Sequence, residues 1–175
     1  MSLNRAAPAT LIAFFWGLGG VVFMLGRSAW RLAPLATEAV EAGLSTFQWA
    51  AFVGWLVFML YAEGYRGFQK RFSPRVAARA FYLAKNPRPL HLLLAPLFCM
   101  GYFYATRKRK IVAWALTLGI IGLVVLVRML EQPWRGIIDA GVVGGLSWGT
   151  MATLYYGVVA LLRGEVKVEP EVPTG

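Results

Sequence analysis

A chain of 175 residues is one domain's worth, yet 58% of it is hydrophobic and its mean hydropathy is +0.58, more apolar surface than a soluble domain of this size can hide. The 18 Lys and Arg and 8 Asp and Glu cluster between long apolar runs, as membrane insertion requires, because a charge at mid-bilayer is costly. A net charge of +10 would suggest nucleic acid in a soluble protein. Here the basic residues lie in short loops beside apolar runs, which points to bilayer orientation and anionic headgroups and argues against a nucleic-acid partner.

The first predicted span covers residues 9–26, after Arg5. It is longer than the roughly 7–15-residue apolar core of a signal peptide, so it reads as a retained helix. Residues 34–42 suggest a separate short helix stopped by Gly43. The second span is 46–62, followed by a basic amphipathic loop at 64–90. Within that loop Tyr65, Phe68 and Phe72 share a helical stripe, with Arg66, Lys70 and Arg71 off it, as in an interfacial segment. Ser73 then reads as an N-cap before Pro74 at the first helical position. The helix it opens carries Val76, Ala77, Ala80, Phe81 and Ala84 on one side and Arg75 and Arg79 on the other. Asn86, Pro87 and Pro89 end it.

Residues 91–106 are apolar but short, interrupted by Pro96 and Gly101, and flanked by basic sequence on both sides, with Arg107, Lys108, Arg109 and Lys110 immediately after. If this segment crossed the membrane, one strongly basic loop would lie outside, against the positive-inside rule. A re-entrant or interfacial segment leaves both loops inside. Two further spans follow at 111–130 and 137–162, and residues 164–175, rich in glutamate and proline, are expected to form a flexible tail. The fold class is therefore all-α: an integral membrane helical bundle of four transmembrane helices plus the short segment at 91–106, in one domain over 1–163. Five spans are the alternative. In the four-span arrangement both termini are cytoplasmic, the outer side receives Arg27, Arg31 and Arg135, and the setting is a bacterial inner membrane.

The most specific pattern is in the last span, where Gly141, Gly145 and Gly149 recur every fourth residue and mark one face for close helix packing, within the monomer or at a subunit interface. Arg128 and Asp139 flank a short turn between consecutive helices, so they are expected at matching depth and as a charge pair. Arg66, Lys70, Arg71, Arg75, Arg79, Arg107, Lys108, Arg109 and Lys110 are the expected anionic-lipid contacts. Glu63, at the end of the second span beside Arg66, and His91, the single histidine, are weaker candidates for acid–base chemistry.

One cysteine, Cys99, builds no disulfide framework, and His91, Cys99 and Met100 are too sparse for a metal site, so neither metal nor cofactor is expected. No nucleophile elbow, phosphate loop or zinc-binding histidine pair is present. The sequence thus points to a non-catalytic accessory or assembly subunit that packs against partner helices, as a homo-oligomer or in a larger membrane complex, and against anionic lipid. A small oligomeric transporter or channel using Arg128 and Asp139, and a lipid- or quinone-handling enzyme using His91 or Glu63, are the alternatives.

Overall fold

The computed structural model describes residues 8–173, and among these there is no strand. The first helix, α1, runs unbroken over Pro8–Glu41 with Pro34 inside it, and Gly43, at φ +82°, ends it. The segment 34–42, expected as a separate helix, is thus the last turns of α1. After a short turn α2 (Thr46–Met59) opens with a reciprocal cap: Gln48 N–H donates to Ser45 Oγ at 3.3 Å, and Ser45 N–H donates to Gln48 Oε1 at 2.9 Å.

From there the backbone stays helical to Lys85. It widens into a π-helical stretch over Leu60–Phe72 and narrows again into α3 (Ser73–Lys85). Ser73 therefore caps nothing. Its hydroxyl is buried and hydrogen-bonds Thr153 Oγ1 at 2.9 Å. Pro74 lacks an N–H and crowds the carbonyl four residues earlier, and the wide winding just before it accommodates both defects. Phe68 and Phe72 point into the protein, while Arg66, Lys70 and Arg71 remain outside.

Residues 91–106 do not form one helix. Pro89 opens α4 (Pro89–Leu93), Pro96 lies in the first turn of α5 (Ala95–Met100), and Gly101 at φ +90° terminates it. Neither helix is long enough to cross a bilayer. The chain then turns into α6 (Arg107–Arg128) and, after five residues, α7 (Trp134–Arg163).

The core forms where α1, α3 and α5 meet, around Phe14, Leu18, Val21, Val76, Leu83, Phe98 and Cys99. Close approach of α5 depends on the glycines of α1: a Cβ on Gly17 would stand 2.8 Å from Cys99 Sγ, and one on Gly20 would collide with Pro96. α7 is the central helix and contacts α1, α2, the π-helical stretch and α3. Opposite contacts fix the axial register, since Leu18 lies against Gly157, Thr150 approaches Gly26, and Ala39 meets Gly136. Arg27 and Arg31, expected beyond the outer end of a span, therefore stand level with the middle of α7.

Three helices are long and apolar enough to cross a membrane: Thr10–Glu41, Arg107–Arg128 and Trp134–Arg163. α2 alone, at 14 residues, covers about 21 Å.

Candidate functional site

The most elaborate polar arrangement is built around Arg79. On α3 this residue shares a stripe with Val76 and Leu83, which turns its side chain inward, and it is only 1% exposed. No carboxylate lies within ion-pairing distance of it among the described residues; main-chain carbonyls hold it instead. Nε donates to Phe98 O at 2.6 Å, one terminal nitrogen donates to Phe103 O and Tyr104 O at 3.1 and 3.0 Å, and the other to Pro170 O at 2.7 Å, with Glu171 O at 3.5 Å. The guanidinium also lies over the Phe98 ring, 4.3 Å from its centroid. Burial lowers its pKa to about 10, so it stays charged at neutral pH. One side chain thus joins α5, the turn after it and the last described residues.

Two residues in this network adopt left-handed backbone conformations, Tyr104 at φ +45° and Glu171 at φ +49°, and no other non-glycine among the described residues does. Both present carbonyls to Arg79, which is what holds them in a disfavoured region. Of residues 164–175, expected to be a flexible tail, 174 and 175 lie outside the described residues, and 164–173 pack back onto the protein. Thr106 N–H donates to Glu171 O at 2.9 Å, and Val166 and Val172 pack on the core. The polar composition of this stretch reads as solvated, but its acceptors satisfy a buried cation.

His91 is buried beside the same network, stacked on Phe98 with centroids 4.9 Å apart and tilted against Tyr104 at 4.5 Å. Its Nδ1 has no hydrogen-bond partner. Burial, reinforced by the charges of Arg88 and Arg79, lowers its pKa and favours the neutral ring. Among the described residues no three His, Cys, Asp or Glu side chains converge as metal ligands would.

The expected lipid-contact residues divide into two groups. Arg66, Lys70, Arg71, Arg107, Lys108 and Lys110 are exposed, with Lys70 4.5 Å from the centre of the Tyr65 ring. Arg79 and Arg109 are buried, so the lipid-contact assignment does not hold for them, and half-buried Arg75 turns to Glu171. Arg75 Nε stands 3.4 Å from Glu171 Oε1, and Arg109 Nε stands 3.9 Å from Oε2.

The glycine stripe of α7 is filled from within the chain. Gly141 faces Trp55 and Met59. A Cβ on Gly145 would stand 3.0 Å from Glu63 Oε2, and one on Gly149 would stand 2.6 Å from the Phe68 ring. The Trp148 indole N–H donates to Gln69 Oε1 at 2.8 Å along the same seam. Glu63 therefore faces α7 rather than Arg66. At the far end Asp139, 6% exposed, lies 3.8 Å from Arg135 one turn earlier on its own helix, whereas Arg128 is exposed at the end of α6. The expected pair is not brought together, because the intervening turn lets α6 splay away from α7. Between α1 and α7 an open apolar groove of about 320 Å³ is lined by Gly26, Trp30, Val143, Ser147 and Met151. No protein-family model, no curated protein and no solved structure matches this chain.

Proposed function

We propose that this chain is a non-catalytic, multi-pass protein of a bacterial inner membrane that serves as an accessory or assembly subunit, presenting a free apolar helix to a partner and a basic rim to anionic headgroups. The observation that carries this reading is α6. Of its 22 residues only Arg109, Ala113 and Val127 are buried, and among the described residues no other part of the chain meets Gly119 or Gly122. A helix that is apolar over most of its surface and meets its own bundle at only a few residues, among them Ala113, Thr117 and Val127, is available to another helix, and its open glycines permit close approach. The exposed Arg66, Lys70, Arg71, Arg107, Lys108 and Lys110 supply the headgroup contacts.

In this reading there are four spans. α2 reaches spanning length by continuing into the π-helical stretch, which joins it to α1, α6 and α7. The α4–α5 segment is re-entrant, supported by its packing on Gly17 and Gly20, well inside the apolar part of α1. Both termini are then cytoplasmic. The transporter alternative lacks the Arg128–Asp139 pair on which it rested, and among the described residues no second acid or base converges on His91 or Glu63 to favour the enzyme alternative.

Native mass spectrometry after mild-detergent extraction of the full chain tests the proposal. The expected result is a species heavier than one chain, containing a second subunit, with phosphatidylglycerol retained in preference to phosphatidylcholine. Gly122→Leu should remove the second subunit and leave the monomer folded. A monomer that retains both lipids equally would sink the proposal.

A further inference from the structure

Three cations and one main-chain donor converge on a single residue of the tail. Glu171 receives Arg75 at one carboxylate oxygen and Arg109 at the other, while its carbonyl receives Thr106 N–H and Arg79. Thr106 is the residue that precedes the first turn of α6, so its N–H points out of a helix N-terminus. The arrangement suits an anion, but Glu171 fills it poorly. Its carboxylate stands 3.4 and 3.9 Å from the two guanidinium nitrogens, beyond good charge-assisted hydrogen bonds. Arg109, only 7% exposed, is left with a buried Nε that has no hydrogen-bond partner among the described residues. Glu171 adopts a left-handed backbone conformation here, and its one carboxylate answers two guanidinium groups while a third, that of Arg79, lies against its carbonyl. A buried donor without an acceptor, a strained occupant and a surplus of positive charge share one place.

We propose that Arg75, Arg79, Arg109 and the Thr106 N–H form a phosphate-binding site for which Glu171 is an internal, displaceable occupant. A phosphate group offers more acceptor oxygens and more charge than the single carboxylate, and its oxygens can satisfy Arg109 Nε and replace the carbonyls that Arg79 takes from Pro170 and Glu171. Binding therefore releases residues 164–173 from α3 and α6. The phosphate comes either free from solution or on a lipid headgroup at the start of α6. This site is separate from the exposed basic rim and holds whether or not the chain is an accessory subunit.

Hydrogen–deuterium exchange of the full chain tests it, reading peptides within residues 164–173. Inorganic phosphate is titrated in detergent against chloride of matched ionic strength, and nanodiscs containing phosphatidylglycerol are compared with nanodiscs of phosphatidylcholine alone. Exchange should accelerate by about threefold or more with at least one phosphate source, because release of the tail is coupled to binding. An effect of inorganic phosphate identifies the free anion as sufficient, and an effect confined to phosphatidylglycerol identifies the headgroup. Glu171→Gln should lower the half-effective phosphate by about 3- to 10-fold, since it weakens the internal competitor. Arg75→Gln, at a half-buried position that leaves the core intact, should raise it by about 10-fold. Chloride matching the effect of phosphate, no response to either source, or a response unchanged in both variants would each overturn the proposal.

Discussion

Two helices of the same chain, joined by five residues, treat apolar sequence in opposite ways. α6 is the more uniformly apolar, yet only 11% of its apolar stretch is buried inside the protein, whereas 44% of that of α7 is. α7 carries Gly136, Gly141, Gly145, Gly149 and Gly157 where its neighbours touch it, and α6 carries Leu, Ile and Val all round. In a bilayer lipid solvates large apolar side chains as well as another helix would, so hydropathy marks a lipid- or partner-facing surface and small residues mark the seams. The same contrast sets α6 apart from the layer of α3, α4 and α5, where buried polar groups add to the glycines of α1 in specifying the packing.

The contrast can be broken most severely at Arg79. Arg79→Met removes a fitting-sized side chain's charge and leaves carbonyls from Phe98, Phe103, Tyr104 and Pro170 without a donor; the expected loss is about 3–5 kcal/mol, seen as a lower Tm and as proteolysis within residues 164–173. A variant with wild-type Tm would show that this layer does not depend on its buried cation. Next comes a matched pair of glycines. Gly149→Leu pushes a side chain into Phe68 and should cost about 1–3 kcal/mol, whereas Gly122→Leu on α6 should change monomer stability by less than about 0.5 kcal/mol. Equal losses from the two, in thermal unfolding of the detergent-solubilised monomer, would erase the distinction between seam and free surface.

The smallest effect is expected at His91. Its folded-state pKa is lowered, so the unfolded chain takes up a proton first as pH falls below about 6.5, and stability is lost from there down to the folded value. His91→Phe breaks no hydrogen bond at Nδ1 and keeps the stacking on Phe98, so it should leave Tm at pH 7.5 nearly unchanged and flatten the decline below about pH 6.5. An acid decline as steep in the variant as in the native chain would assign it to other groups.

The glycine seam was legible because a four-residue repeat maps directly onto one helix face. The breaks at Pro96 and Gly101 were legible because each acts on its own backbone. Arg79 was not, since its acceptors lie 19 to 92 residues away and are main-chain carbonyls, which no residue type announces. One local signal was there: Val76, Arg79 and Leu83 fall on one stripe, so the arginine occupies a core position. The π-helical winding left no mark of its own apart from Pro74, which was read as a helix start because proline serves in that place too. Asp139 and Arg128 were paired by depth alone. Arg135, one turn from Asp139 on the same helix, needed no second helix to reach it.

The unequal helix lengths bear on membrane thickness. At 34 and 30 residues α1 and α7 measure about 51 and 45 Å, and they are clamped together along their length, so neither can change its tilt alone. α6, at 22 residues, measures about 33 Å, close to the roughly 30 Å of a hydrocarbon core. It is tied through Arg109 and Ala113, at its middle through the hydrogen bond of Thr117 with Tyr102, and at its far end through Val127 and the turn into α7. With so few of its residues buried, α6 is the helix that can adjust when a bilayer thins or thickens, at a fraction of a kcal/mol per Å of mismatch, while the paired helices hold their angle.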